Sequence, residues 1–219
     1  LGHDRLAWAQ QVHDAARTAG VDDAALAGYV VNIGIAHAHV SAYGGEDRPA
    51  RLRWALDAYD ALSNLRQVTL PNGDVIDYVI DARNRRIGKK LNGVGVQRLI
   101  YRGQLQPVAE LDGNGNVVSR FVYATKVNVP DYIEKPANGA VWRVVTDHLG
   151  SVRAVVDDTT GAVVQRIDYD EFGRVLVDTN LGAQPFGFAG GLYDPSTRLT
   201  RFGKRDYDAQ VGRWTTNDP

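Results

Sequence analysis

Cysteine and methionine are both absent from the 219 residues. Without cysteine there is no disulfide, no thiolate zinc site, no iron–sulfur cluster and no cysteine nucleophile. The chain opens at Leu1 and stops at Asp218-Pro219 with no start or stop signal, so it reads as a piece of something longer. A basic leader, an apolar stretch and a cleavage site are not seen at the amino end. A dominant charge is missing too. Twenty-five basic and 26 acidic side chains leave a net charge of −1, which gives nucleic acid no broad basic surface to bind. Residues Ala24 to Gly45 contain no Asp, Glu, Lys or Arg, close to the length of a membrane span, but Asn32, His37, His39 and Ser41 interrupt them. A buried helix or strand fits that stretch better than a bilayer crossing. What remains is a globular composition, 44% apolar and 23% charged.

The character of the chain changes near Ala58. Leu6 to Ala19 carries Trp8, Val12, Ala15 and Ala19 at helical steps and ends at Gly20. Asp22 or Asp23 can cap the next stretch, in which Ala24 to Ala27 favours helix and Val31 to Ile35 alternates like a strand. Arg48 to Ala61 reads as a further helix with Pro49 in its first turn. Residues 1–58 therefore form a small helical segment of unknown function.

Beyond it, turn residues recur about every ten positions. Asn72-Gly73-Asp74, Asn92-Gly93, Asp112 to Asn116, Leu149-Gly150-Ser151 and Phe172-Gly173 separate short alternating runs. Strands are expected at Val75 to Ile80, Gln97 to Tyr101, Val117 to Tyr123, Val141 to Val145, Val152 to Val156 and Val163 to Tyr169. This is a mainly β chain, an antiparallel hairpin meander, and the βαβ rhythm of a doubly wound fold is not seen.

One motif repeats. Tyr169-Asp170-Glu171-Phe172-Gly173-Arg174-Val175 has a copy at Tyr59-Asp60, with Ser63 in place of the glycine, and a looser one running from Tyr78 through Asp81. A further copy, Tyr207-Asp208 to Gly212-Arg213, holds one extra residue. In this pattern Tyr ends a strand, Asp accepts hydrogen bonds from turn amides, Gly takes a left-handed conformation and Arg begins the next strand.

These copies resemble the YD-repeat, or RHS, family of bacterial proteins. Three further stretches of the RHS-associated core look similar: Thr146 to Arg153, Pro185 to Asp194, and Arg201 to Asp208 followed by Gly212-Arg213-Trp214 and Asp218-Pro219. The resemblance covers residues 59–219, with the core at about 146–219, and does not reach residues 1–58. It implies a cocoon-like shell of β-hairpins enclosing a toxin domain that lies downstream in the same polypeptide, in contact with neighbouring shell strands. It also implies delivery by secretion machinery and a secreted or cell-surface location. Arg213 and Asp218 match an arginine and an aspartate of the family's self-cleavage segment. The rest of that segment, with its cut site, is not in this sequence, so cleavage is not expected of this chain. Arg198 stands where a turn glycine is usual, and Ala209 replaces a proline. An arginine at positive φ costs on the order of 1 kcal/mol or more, so the turn around Ser196 to Leu199 is expected to be remodelled.

Other constellations have plainer readings. His3, His13, His37 and His39 lack the His-Glu-x-x-His spacing of a zinc site, and no metal or cofactor is assigned. Asp147, His148 and Ser151 contain the residue types of a hydrolase triad, but neighbours along a strand point to opposite faces and no Gly-x-Ser-x-Gly elbow surrounds the serine. Asp112 to Asn116 lacks the further ligands of a calcium loop and reads as a hairpin turn. Tyr101, Phe121, Tyr123, Trp142, Tyr169, Phe186, Phe188 and Trp214 are expected to pack as cross-strand pairs rather than to stack on a ligand. The main expectation is a non-enzymatic shell segment. Two rivals are a small catalytic or immunity-like domain in residues 1–58 on a β scaffold, and a module binding carbohydrate or a cell-surface partner.

Overall fold

The computed structural model describes residues 59–60 and 62–216. The helical readings before Tyr59 lie outside the described residues. The last helix was expected to reach Ala61, yet Tyr59 pairs with Leu65 in an isolated β-bridge around a tight turn. Asp60 and the left-handed Ser63 close that turn, so a helix cannot run through it.

Eleven strands form one sheet in sequence order. They are β1 (Gln67–Thr69), β2 (Val75–Ile80), β3 (Arg86–Leu91), β4 (Val94–Tyr101), β5 (Pro107–Asp112), β6 (Val117–Val122), β7 (Tyr132–Lys135), β8 (Ala140–Thr146), β9 (Val152–Asp157), β10 (Val163–Tyr169) and β11 (Val175–Asp178). Every neighbouring pair is antiparallel. The expected meander is therefore present. Asn92 and Gly93, at φ 51° and 82°, make the two-residue turn between β3 and β4 that an Asn-Gly pair favours.

A second, four-stranded sheet follows: β12 (Leu192–Asp194), β13 (Leu199–Phe202), β14 (Arg205–Asp208) and β15 (Arg213–Trp214). It packs on one face of the large sheet. Strand alternation supplies the apolar part of the contact. Leu99 of β4 and Phe121, Ile133, Val144, Val155 and Ile167 of β6 to β10 point inward and cluster with Phe186, which arrives on the segment linking the two sheets. Nearer the first strands, Val68, Ile76 and Tyr78 pack against Leu199 of β13. The opposite face exposes Ile100, Val118, Val122, Val145 and Val177 among charged residues. Among the described residues no helix is long and apolar enough to cross a membrane.

The aromatic residues pack, though mostly between layers rather than across strands of the large sheet. Phe121 meets Phe186 edge-on with ring centroids 5.0 Å apart, and Phe188 lies between Tyr169 of β10 and Tyr207 of β14. Cross-strand ring contacts do occur inside the small sheet, among Phe202, Tyr207 and Trp214.

Candidate functional site

Repeated turns set the geometry. At Asp60, Asp81, Asp112, Asp147 and Asp170 the same four hydrogen bonds recur. The aspartate N–H donates to the carbonyl four residues on, and its carbonyl accepts from the N–H three residues on. Its Oδ1 accepts from the amides two and four residues on, at 2.8–3.0 Å. A short carboxylate supplies acceptors that a tight turn otherwise lacks, which is why Asp suits this place. The residue three positions on is left-handed each time: Ser63, Asn84, Gly115, Gly150 and Gly173. Hydrogen bonding at the turns holds the Asp112 carboxyl below the ordinary carboxylate range, chiefly through the Asn116 side chain, and that of Asp157, in a related turn, through the Thr160 amide.

A longer variant moves the left-handed residue one place further, to Gly161 after Asp157, Arg198 after Asp194 and Gly212 after Asp208. The expected remodelling around Arg198 does not occur. Arg198 itself takes φ 60°, and its amide donates to the Asp194 carbonyl at 2.7 Å. A turn closed by Asp194 and buried Thr197 holds the backbone in place and leaves the arginine side chain in solvent.

The other repeat residues fall as follows. Tyr169 ends β10, whereas Tyr78 lies mid-strand, three residues before its turn aspartate Asp81, and Tyr207 is the third residue of β14. Arg174 does not begin β11. It precedes the strand by one residue and pairs with Asp170, because its amide is still held by the turn carboxylate. Arg213 opens β15 and is exposed. Asp218 lies outside the described residues.

Sequence reasoning missed the densest polar cluster, a buried clamp between the sheets. Asp206 of β14, 1% exposed, receives the Arg86 guanidinium of β3 on Oδ1 and the Arg201 guanidinium of β13 on Oδ2, both at 2.8 Å. Arg201 also donates to Asn64 Oδ1, to the Asn84 carbonyl and to the Gly203 carbonyl. The Arg86 guanidinium lies 3.5 Å over the Tyr78 ring. Beside it, Asp194 accepts from Lys89 Nζ at 2.7 Å and from the Tyr78 hydroxyl at 2.6 Å. Burial alone would raise the Asp194 carboxyl, but the Lys89 ammonium and the Tyr78 hydroxyl more than reverse it, and it sits below the ordinary range. Burial pushes the Tyr101 phenol up to about 12, and its hydroxyl donates to the Arg86 carbonyl. The available clue was a run of charges, Arg201 to Asp206, within strands too short to show a periodicity.

A second polar line crosses the packed face further along. Gln97 and Ser119 donate to Glu110, Lys135 donates to Ser119 and to the Ala183 carbonyl, and Gln184 donates to Gln165. These bonds seat the linking segment on the sheet. Burial lowers the Lys135 ammonium from its ordinary value, and it lies 4.5 Å over the Trp142 ring. Trp142 and Tyr123, two of the aromatics weighed for ligand stacking, are thus both engaged; the Tyr123 hydroxyl donates to the Pro107 carbonyl. Two clefts lie between the sheets. One of about 290 Å³ is lined by Tyr101, Leu105, Phe186 and Phe202, and one of about 220 Å³ by Arg86, Lys89, Glu110 and Asp194.

Asp147, His148 and Ser151 do not converge on a reaction centre. Asp147 caps its turn, His148 is exposed, and the Oγ of fully buried Ser151 accepts from the Ala189 amide at 3.0 Å. The other four histidines lie outside the described residues.

Comparison with known proteins follows the same architecture. The teneurin YD-shell family profile matches residues 56–219. Teneurin-3 of Danio rerio is 31% identical over 150 residues, which is 67% of this chain and 6% of the relative. Teneurin-3 of Mus musculus is 40% identical over 83 residues, 37% of this chain and 3% of the relative. The crystal structure of TcdB2-TccC3-TEV superposes with a TM-score of 0.53 at 19% identity, covering 74% of this chain and 9% of that one. The Photorhabdus luminescens Tc holotoxin pore gives 0.52 at 18%, covering 74% and 8%. The chain therefore spans less than a tenth of the length of each of these proteins. Profile, turns and sheet order agree, and the chain belongs to the teneurin YD-shell family.

Proposed function

We propose that this chain is a stretch of wall in an RHS-type shell that encloses a toxin domain carried downstream in the same polypeptide. The observation that supports it is the sheet itself. Eleven strands follow one another in sequence order, and among the described residues β1 and β11 each leave one edge without a partner strand. A wall of this kind extends by adding hairpins, so neighbouring shell strands are the natural partners of those edges. Its role is structural rather than catalytic. The clamp around Asp206 fastens a second layer over the first, which thickens the wall where the later part of the RHS core, β12 to β15, returns across it. Residues 59–219 form the YD-repeat region. Arg213 and Asp218 take part in self-cleavage only in a polypeptide that continues into the cut site. Such a protein acts outside the producing cell, secreted or at the cell surface, and relies on secretion machinery to get there.

Limited proteolysis of the whole polypeptide tests the reading. A downstream domain that survives protease until the shell is unfolded supports enclosure. A downstream domain digested as fast as the same domain expressed alone overturns it.

A further inference from the structure

Four Asn-Gly pairs occur in the sequence, at 72–73, 92–93, 114–115 and 138–139. All four asparagines are exposed, so exposure does not separate them. Hydrogen bonding does. The Asn72 side chain donates to Asp74 Oδ2 at 2.6 Å and accepts from the Asp74 amide. Asn92 accepts from the Val75 amide and donates to Asp74 Oδ1, both at 2.8 Å. Asn138 accepts from the Ala140 amide at 3.1 Å. Among the described residues the Asn114 side chain has no hydrogen-bond partner; only its backbone amide is held, by Asp112. The following glycine amide is also loosely held. Gly115 N–H donates to the Asp112 carbonyl at 3.2 Å, against 2.9 Å for the amides of Gly73 and Gly139.

We propose that Asn114-Gly115 is a self-modifying site, at which the folded chain deamidates ahead of its other Asn-Gly pairs. Gly115 N gives its proton to a solvent base and attacks Asn114 Cγ. The bond from Cγ to the side-chain nitrogen breaks, and ammonia leaves with a proton from solvent. Water then opens the cyclic imide at either carbonyl, leaving aspartate or isoaspartate at position 114. One ammonia is lost and one water gained, with no change of oxidation state. Glycine permits the attack because no side chain shields its nitrogen. The unheld Asn114 side chain permits it because only the long bond from Gly115 N–H to the Asp112 carbonyl must first be broken.

The consequence falls on the hairpin between β5 and β6. An isoaspartyl link adds a methylene to the backbone inside a turn whose amides at 114 and 116 both reach Asp112 Oδ1. That turn tip touches the next hairpin tip closely, for a Cβ on Gly113 would lie 1.9 Å from the Gly95 carbonyl oxygen. Lengthening it disturbs both tips.

Peptide mapping by mass spectrometry tests this on the 219-residue chain incubated at mildly alkaline pH, folded and in urea. In the folded chain the amide-to-acid mass change accumulates at Asn114 at least about tenfold faster than at Asn72 or Asn92, whose side chains must each break two hydrogen bonds. In urea the four sites converge. Folded-state rates at Asn114 no higher than at the other three overturn the proposal. So does an Asn114 lead of the same size in urea, because the selectivity would then not come from the fold.

Discussion

Left-handed positions are where a single residue decides most. Gly173, at φ 87°, lies so close to Phe188 that a Cβ would sit 2.3 Å from the ring Cγ. Gly173→Ala therefore meets both a left-handed penalty of about 1–2 kcal/mol and an overpacking cost of about 1–3 kcal/mol. A drop in the urea midpoint equivalent to at least about 2 kcal/mol is expected; a drop of about 1 kcal/mol would show that the ring moves away and leaves only the left-handed penalty, and a change under about 0.5 kcal/mol would overturn both costs. Arg198 argues in the other direction. It occupies φ 60° with its side chain exposed, so Arg198→Gly removes the left-handed penalty at the smaller cost of a more flexible unfolded chain. The expected gain reaches up to about 1 kcal/mol, read as a higher urea midpoint at unchanged slope. The turn glycines were legible from the sequence because few other residues adopt that conformation. Arg198 was not, because the surrounding turn outweighs its preference, and local preference is all that a sequence displays.

At the scale of elements, the clamp holds β3, β13 and β14 together through one carboxylate. Asp206→Ala leaves two guanidiniums, those of Arg86 and Arg201, facing each other in a site closed to water. Losing one partner of a buried ion pair costs about 3–5 kcal/mol, so urea unfolding of this variant should begin in the small sheet, with near-ultraviolet signals of Tyr207 and Trp214 lost first. Acid acts on the neighbouring pair. The Asp194 carboxyl is depressed in the folded state, so its contribution is present at neutral pH and is lost as pH falls through and below the ordinary aspartate value of about 3.9. The turn carboxyls of Asp81, Asp112 and Asp157 are depressed too and titrate in the same direction. Stability measured from pH 7 to 2 should fall most steeply below about pH 4, and Asp194→Asn should flatten that limb. The elements were unevenly legible for related reasons. Val75–Ile80 and Val163–Tyr169 alternate and were readable as strands, whereas Arg86–Leu91 carries two lysines in succession and Tyr132–Lys135 is only four residues long. The small sheet buries Leu199, Thr200 and Arg201 in succession, with Asp206 beside them, so burial there follows no hydrophobic alternation that a sequence could reveal.

For the whole molecule, the consequence of an open sheet outweighs any one contact. A closed barrel satisfies its edges internally, but this meander ends at β1 and at β11, and the backbone groups along each outer edge have no partner strand among the described residues. β11 also presents Leu176 and Val177, 54% and 45% exposed, beside that free edge. An unpaired edge with aliphatic neighbours is a template for another strand, and native proteins blunt such edges with charge. The 24.0 kDa chain on its own is therefore expected to associate with rising concentration in light scattering. Val177→Lys places a charge beside the edge without touching the core, so it should shift association to higher concentration while leaving the urea midpoint of the monomer within about 0.5 kcal/mol. A single monomer at every concentration would mean that the edges are already covered, and residues outside the described region would then be the place to look for the covering strand. Association unaffected by Val177→Lys would instead direct attention to the β1 edge, since the two ends of the meander are the only places where the described large sheet can add a strand.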